Sequence, residues 1–535
     1  MTIVNCASSL VCGRGILLAF VVTVVAFCLS YVLGRVSYYF KVRNLPLAHD
    51  LNFFDRWFTA KGISQFIGDF TSLRQKGFAK NENAFRVQTD LGEVIVLAPH
   101  YATEIREDNG LSAGVYTNIV RARDALRFVR SSAANILPIS IQELMGFLPG
   151  MEAFAFAGTH RGLMHDAITK QLNRSLPQLI SSLSAETADC LKTSWGDDYE
   201  WHAVSLYQTA LLLVAQVSTR AFLGPDMSKN QRWVEINSQY TVVGLGAVMA
   251  LRWWPRYLLP LIHRFHPKVR ATRALLAEAR EIMHSIREKR KQDKHREVNS
   301  MDWFDEVASQ RGDQYDPAVA QLTFAVAAMH STTDQLCQVL LDLRNHPDVV
   351  DALRRELVDT ITREGWKQAA FNQLKLMDSV LKESQRLKPI NQVFNKRAVL
   401  KDLELSNGVC LPKGSFIAVS AHRMRDPAVY PEPDKFDAYR FIERANNDPE
   451  KARFCGFSSV SIDHTGFGFG KHACPGRTYV TLELKILLAH ILLKYDWKLP
   501  EGVKPNFMNH GFDSLTDVTA SLLVKRRGEE LELPA

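Results

Sequence analysis

The stretch Phe467-Gly468-Phe469-Gly470-Lys471-His472-Ala473-Cys474-Pro475-Gly476-Arg477 sets one cysteine in a loop with three glycines. Glycine admits backbone turns that a Cβ forbids and lets the chain come close to a ligand. Pro475 and Gly476 follow the cysteine, and an apolar run of helical period extends from about Thr478 to Leu493. The pattern predicts Cys474 at the mouth of a helix, where free N–H groups and the helix dipole favour a thiolate. A lone thiolate in a glycine-rich pocket is the axial ligand that an iron porphyrin takes. Other readings fit less well. A buried structural cysteine needs no such cluster of glycines. A dinucleotide loop would follow a strand and open its helix with Gly-x-Gly-x-x-Gly, whereas this helix begins only after the cysteine. Zinc would need partner ligands at short spacing, and His472 with Cys474 does not make a set.

Phe467, Gly470, Cys474 and Gly476 match, position for position, the haem loop Phe-x-x-Gly-x-x-x-Cys-x-Gly of the cytochrome P450 superfamily. The chain resembles that superfamily over roughly residues 50–525. The resemblance implies a mostly α fold with a smaller β-rich part, and haem b (iron protoporphyrin IX) ligated by Cys474. It also implies a monooxygenase using dioxygen, with electrons from NADPH through a separate flavoprotein reductase; cytochrome b5 is a further candidate donor. His472 and Arg397 become candidates to pair the haem propionates. His330-Ser331-Thr332-Thr333-Asp334 and the Lys471–Arg477 wording look most like fungal membrane enzymes of secondary metabolism, especially of terpenoid oxidation. Two other classes stay open: a haem-thiolate isomerase or dehydratase that needs no external oxygen, and a non-enzymatic haem sensor or electron carrier.

The chain has 535 residues with no linker, low-complexity tract or repeat to divide it. Its hydrophobic content of 46% and charged content of 23% are those of a globular enzyme. The net charge of +8 is spread along the chain, too diffuse for a nucleic-acid partner. The 8 cysteines show no disulfide-framework spacing, which fits a reducing compartment.

Ile16–Leu33 carries no charged residue and is bounded by Arg14 and by Arg35, Lys41 and Arg43. As a helix it would span about 27 Å, the hydrocarbon thickness of an endoplasmic-reticulum bilayer. A cleaved signal would have a shorter apolar core and a small-residue cleavage site. The expected organisation is therefore an N-terminal membrane anchor over 1–35 (helix about 16–33), a linker over 36–49 and a catalytic domain over 50–535. The basic exit places that domain in the cytosol. On this topology the sequon Asn173-Arg174-Ser175 stays unmodified.

Within the domain, Arg86–Leu97 reads as two strands around a turn at Leu91-Gly92. Helices are expected over Gln171–Leu191 and Lys268–His295. Val242–His266 mixes aromatic, apolar and basic residues and could enter a membrane interface. Asp316-Pro317 predicts an N-cap and first helical residue, with the helix stopping before His346-Pro347. Ala325, Ala328, Met329 and Thr332 share one face of that helix, and small residues there admit something bulky. Ala328–Thr333 resembles the family's oxygen-binding segment, Ala/Gly-Gly-x-Asp/Glu-Thr-Thr/Ser. The resemblance puts Thr332 on the distal hydroxyl, Ser331 where an acid is usual and Met329 where a glycine is usual. Ser331, Asp334 or water would then relay protons. His330 reads as a packed or surface histidine. Glu383-x-x-Arg386 puts opposite charges on one helical face, and the resemblance completes that pair with Arg440, from Pro433-x-x-Phe436-x-x-x-Arg440. Ala328, Met329, Val393, Phe394 and Phe512 are the candidate lining of an apolar substrate pocket.

Overall fold

Asp316 starts the helix on which the domain is built. Its carboxylate accepts from the N–H of Ala318 (2.9 Å) and Val319 (3.3 Å), with Pro317 at the first helical position. These contacts satisfy donors that a helix start leaves free. The computed structural model describes residues 36–52, 60–90, 92–112, 149–251, 258–293 and 296–534, with Leu33, Asp55 and Trp254. The apolar run 16–33 lies outside the described residues, as do Trp253 and Tyr257. Among the described residues no helix is long and apolar enough to cross a membrane.

The principal helices are α1 (Asn173–Trp195), α2 (Leu206–Leu223), α3 (Gln231–Leu251), α4 (Pro267–Gln292), α5 (Pro317–Leu343), α6 (Lys375–Leu387) and α7 (Arg477–Lys494). α5 runs through the largest core and packs against α2, α3, α4, α6 and α7. α7 is buried almost throughout from Leu482 to Leu493, so its apolar run serves the core on every side.

A smaller five-stranded sheet comprises β1 (Ala84–Thr89), β2 (Gly92–Leu97), β3 (Leu111–Ser112), β4 (Val393–Val399) and β5 (Phe416–Ser420), in the order β1-β2-β5-β4-β3. The expected hairpin is present, with Ala84 opposite Leu97 and Thr89 opposite Gly92. The β2–β5 pair is parallel and the others antiparallel. Within residues 36–49, expected as a linker, the stretch from Val42 to His49 docks on this sheet, while Val36, Tyr39 and Phe40 are exposed. Val42, Leu45 and Ala48 are buried, and Ala48 N–H donates to the Arg86 carbonyl at 2.9 Å. The apolar side chains spaced through 42–48 make that segment part of the domain.

Candidate active site

Cys474 N–H donates to the Phe467 carbonyl at 2.8 Å and closes the loop on itself. Gly468 (φ +77°) and Gly470 (φ +72°) take the left-handed conformation that makes the bend. At Gly470 a Cβ would also come within 3.1 Å of the Arg106 Cβ. Gly476 has φ −86° and caps α7. A Cβ there would meet the Cys474 sulfur at 4.0 Å, an ordinary contact. Neither backbone strain nor crowding among the described residues requires glycine at 476.

The sequence places Cys474 at a helix mouth, and the N–H groups of Gly476 and Arg477 do turn toward its sulfur. Burial is nevertheless the larger effect and pushes the thiol above its ordinary pKa; Gly476 N–H and the Arg477 charge oppose it. The helix mouth alone does not make a thiolate here. A metal ion at the sulfur reverses the balance, because a coordinating thiol is deprotonated outright. One soft donor, two N–H groups directed at it and an uncrowded flank fit a haem iron, which takes a single protein thiolate.

Across the central turns of α5 the packing departs from the expected register. Ala327 and Ser331, one turn apart, are exposed within an otherwise largely buried helix. Thr332, expected as the distal hydroxyl, is 1% exposed, and its Oγ1 has no partner among the described residues. Ala325 and Met329, on Thr332's side of the helix, border a small void with Phe222 of α2 and Trp233 of α3. The bulky groups admitted by the small-residue face are thus side chains of the protein. Ser331 Oγ is the hydroxyl on the open face, donating back to the Ala327 and Ala328 carbonyls at 3.3 Å each, as serine in a helix does. Asp334 is withdrawn from any relay. It is buried, ion-paired to Lys388, and accepts from Thr516 N–H at 2.7 Å.

Packed against α5, α6 holds a closed charge cluster. Arg386 donates from Nε and Nη2 to both oxygens of Glu383 (2.7 and 2.9 Å), and Arg440 Nε adds a third donor at 3.0 Å. The remaining guanidinium nitrogens reach backbone carbonyls: Met424 and Pro433 for Arg386, and Pro431, Glu432 and Lys435 for Arg440. Buried charges are tolerated on such terms.

Of the propionate candidates, Arg397 is buried on β4 and donates to the Lys396 carbonyl and to Asn395 Oδ1. A bulge separates Phe394 from Arg397 in the β4–β5 register, with Asn395 at φ +47°; a bulge re-aims side chains at a functional edge. His472 ends a single turn, Gly470–His472, and is half-buried. The pocket candidates do not converge. Val393 and Phe512 join one core with Phe66 and Phe70, Phe394 another, and Met329 a third; Ala328 alone is half-open. Phe512 packs edge-on to Phe66 and Phe70 at 4.8 and 4.7 Å. Apolar character marks core and cavity wall alike.

His330, read from the sequence as a packed or surface histidine, is packed. Its Nδ1 lies 3.1 Å from the Tyr207 hydroxyl of α2. Nothing in the sequence around Tyr207 signals that contact.

A helical domain built on a long central helix, with a thiolate loop leading into a buried helix and a Glu–Arg–Arg cluster, defines a haem-thiolate enzyme. The family model for Cytochrome P450 matches residues 156–524, and the chain belongs to that family. More narrowly, it is a P450 monooxygenase similar to fungal ones. It is 55% identical over 513 residues (95% of this chain, 96% of the relative) to the fusicocca-1,10(14)-diene-8beta,16-diol C-9 hydroxylase of Phomopsis amygdali. It is 44% identical over 519 residues (96% and 94%) to the dideacetyl fusicoccin A C-19 hydroxylase of the same organism. Among solved structures, retinoic acid bound cyanobacterial CYP120A1 superposes with a TM-score of 0.62 at 18% identity, covering 86% of this chain and 95% of that one. That likeness concerns the fold.

Proposed function

We propose that this monooxygenase hydroxylates a polycyclic terpenoid intermediate of fungal secondary metabolism. Its 55% identity over nearly the whole length to a hydroxylase of a fusicoccadiene diol carries this reading. Cys474 would hold the haem iron, Arg397 and His472 would pair its propionates, and Ser331, the hydroxyl exposed on the central turns of α5, would stand on the reacting side. When bound, the haem supplies dioxygen activation and oxidation of an unactivated C–H bond. The chain supplies orientation and proton control. Ala327, exposed one turn from Ser331, presents only a methyl group there, and the Ser331 hydroxyl can pass a proton by releasing its bonds to the backbone carbonyls.

Electrons come from NADPH through a membrane-bound flavoprotein reductase. The protein resides on the endoplasmic-reticulum membrane, held by residues 1–35, with the catalytic domain cytosolic. Supporting this, Val242, Leu245, Trp254, Leu261 and Phe265 are exposed along one segment, Phe265 at 68%. Exposed apolar residues concentrated like this mark a contact surface, and Lys268 and Arg264 beside them suit anionic headgroups.

The test is incubation of the purified protein with a reductase, NADPH and a fusicoccadiene diol under isotopically labelled dioxygen. A product carrying one labelled oxygen supports the reading. Absence of any turnover across fusicoccane substrates removes the terpenoid assignment. Product formed without dioxygen would point to an isomerase.

A further inference from the structure

Four-residue spacing sets Trp233 and Asn237 on one face of α3, and Gln321, Ala325 and Met329 on one face of α5. These faces meet, with Thr219 and Phe222 of α2, around a cavity of about 10 Å³. Trp233 is fully buried there, and its Nε1–H has no partner among the described residues. Asn237 donates from Nδ2 to Thr219 Oγ1 at 3.2 Å, and Thr219 donates onward to the Ala215 carbonyl at 2.7 Å. That chain fixes the Asn237 amide and leaves its Oδ1 without a partner among the described residues. Gln321 accepts the Ser300 hydroxyl on Oε1 at 2.9 Å, and its buried Nε2 is likewise unpartnered. Three such atoms, from residues of two helices, belong to the wall of one cavity. Burial without a partner costs each of them.

We propose that this cavity is the binding site of one ordered water molecule, which bridges α3 to α5 and holds the two helices together. The donor set selects the occupant. Trp233 and Gln321 present N–H groups and Asn237 a carbonyl oxygen. An anion would meet the carbonyl, a cation would meet the N–H groups, and an apolar occupant would leave all three unpaired. Water accepts two hydrogen bonds and donates the third. With the Gln321 amide turned over, the set becomes one donor and two acceptors, which water also meets. The volume reaches the roughly 10–15 Å³ that a buried water needs, and three polar groups is its usual number of partners. The site lies behind α5: Ser331 is about 200° round the helix from Met329, at ~100° per residue. It is therefore separate from the proposed reacting side. Beyond Asn237, α3 carries the exposed Val242 and Leu245, so the water ties the segment proposed for membrane contact to the central helix.

The experiment joins a crystal structure of the haem-loaded protein to amide hydrogen exchange on the native chain, Gln321→Met and Ala325→Val. The native cavity should hold one density peak within hydrogen-bond distance of Trp233 Nε1, the Gln321 amide and Asn237 Oδ1. An empty cavity, or one closed by a direct bond between Gln321 and Asn237, overturns the site. Gln321→Met keeps the side-chain length and removes the amide, while Ala325→Val adds two methyl groups toward the same space. In Gln321→Met, amide exchange over Gln231–Leu251 should quicken several-fold, because the helix has lost a buried tie. Exchange over Lys375–Leu387, which does not border the cavity, should keep the native rate. A native rate over Gln231–Leu251 overturns the bridging role even where the water is present. Equal quickening over both helices assigns the effect to a general loss of stability and overturns that role too. Should Gln321→Met fail to hold haem, Ala325→Val is read by the same criteria and decides.

Discussion

Arg386 grips both carboxylate oxygens of Glu383 at 2.7 and 2.9 Å with neither side chain exposed to solvent. Such a pair contributes less by its own attraction than by the penalty for breaking it. Glu383→Ala leaves two guanidinium groups buried without their carboxylate, at a cost of about 3–5 kcal/mol. That is a large part of a typical folding stability. Thermal unfolding and haem content after purification should both fall sharply. A variant with native melting temperature and full haem would mean the cluster is not part of the folded core.

Thr332 and Ser331 separate stability from coupling. The Thr332 hydroxyl is buried without a partner, which costs about 1–3 kcal/mol. Thr332→Val replaces it with a methyl of similar shape and should raise the melting temperature while product per NADPH stays native. Ser331→Ala should do the reverse, keeping stability and losing coupling. Thr332→Val that uncouples the enzyme would return the distal role to Thr332.

Glu483 of α7 sets a pH dependence. Its Oε1 accepts from Ser218 Oγ (2.6 Å) and Tyr479 (3.0 Å), while Oε2 has no partner among the described residues. Burial pushes its pKa to about 7, against the two hydroxyl donors. The folded state therefore holds a proton that the unfolded chain releases near pH 4.5. Stability from this group is present below that pH and is lost as pH rises to about 7, by roughly 3 kcal/mol in total. Glu483→Gln, uncharged at every pH, should flatten the denaturation midpoint between pH 5 and 7.5 on the order-of-magnitude scale of that linkage. A native-like slope in the variant would assign the titration elsewhere.

The exposed apolar segment gives a separate test. Leu261→Asp with Phe265→Asp should weaken binding of the protein to anionic vesicles while leaving the carbon-monoxide spectrum unchanged, because both side chains are exposed and outside the core. Undiminished vesicle binding, measured by co-sedimentation, would remove this segment from the membrane contact.

What the sequence makes legible is what local chemistry decides. Asp316-Pro317 announces the start of α5 because a capping carboxylate and a fixed φ act within one turn. Glu383 and Arg386 are legible as one helical face by their spacing, whereas Arg440 joins them only through the family resemblance. The register over 327–332 is not. Ala327/Ser331 and Ala328/Thr332 are both one-turn pairs, and only the packing of Ala325 and Met329 against Phe222 and Trp233 selects between them. The pocket residues fail for a related reason, since Val393, Phe394 and Phe512 are as apolar in a core as they would be in a cavity wall. The thiol of Cys474 is the subtler case. Its helix-mouth donors are legible in Pro475-Gly476, but the burial that outweighs them belongs to the tertiary structure.

The proposed site turns on a Cys474 thiolate to the haem iron. The direct measurement is the difference spectrum of the reduced carbon-monoxide adduct of the native protein and of Cys474→Ser, each with haem content determined separately. The native protein should show the red-shifted band from which the family takes its name. Cys474→Ser should lack that band, because a serine alkoxide forms far less readily than a thiolate. A Cys474→Ser variant that retains the band with bound haem would place the iron ligand elsewhere in the chain and contradict the account.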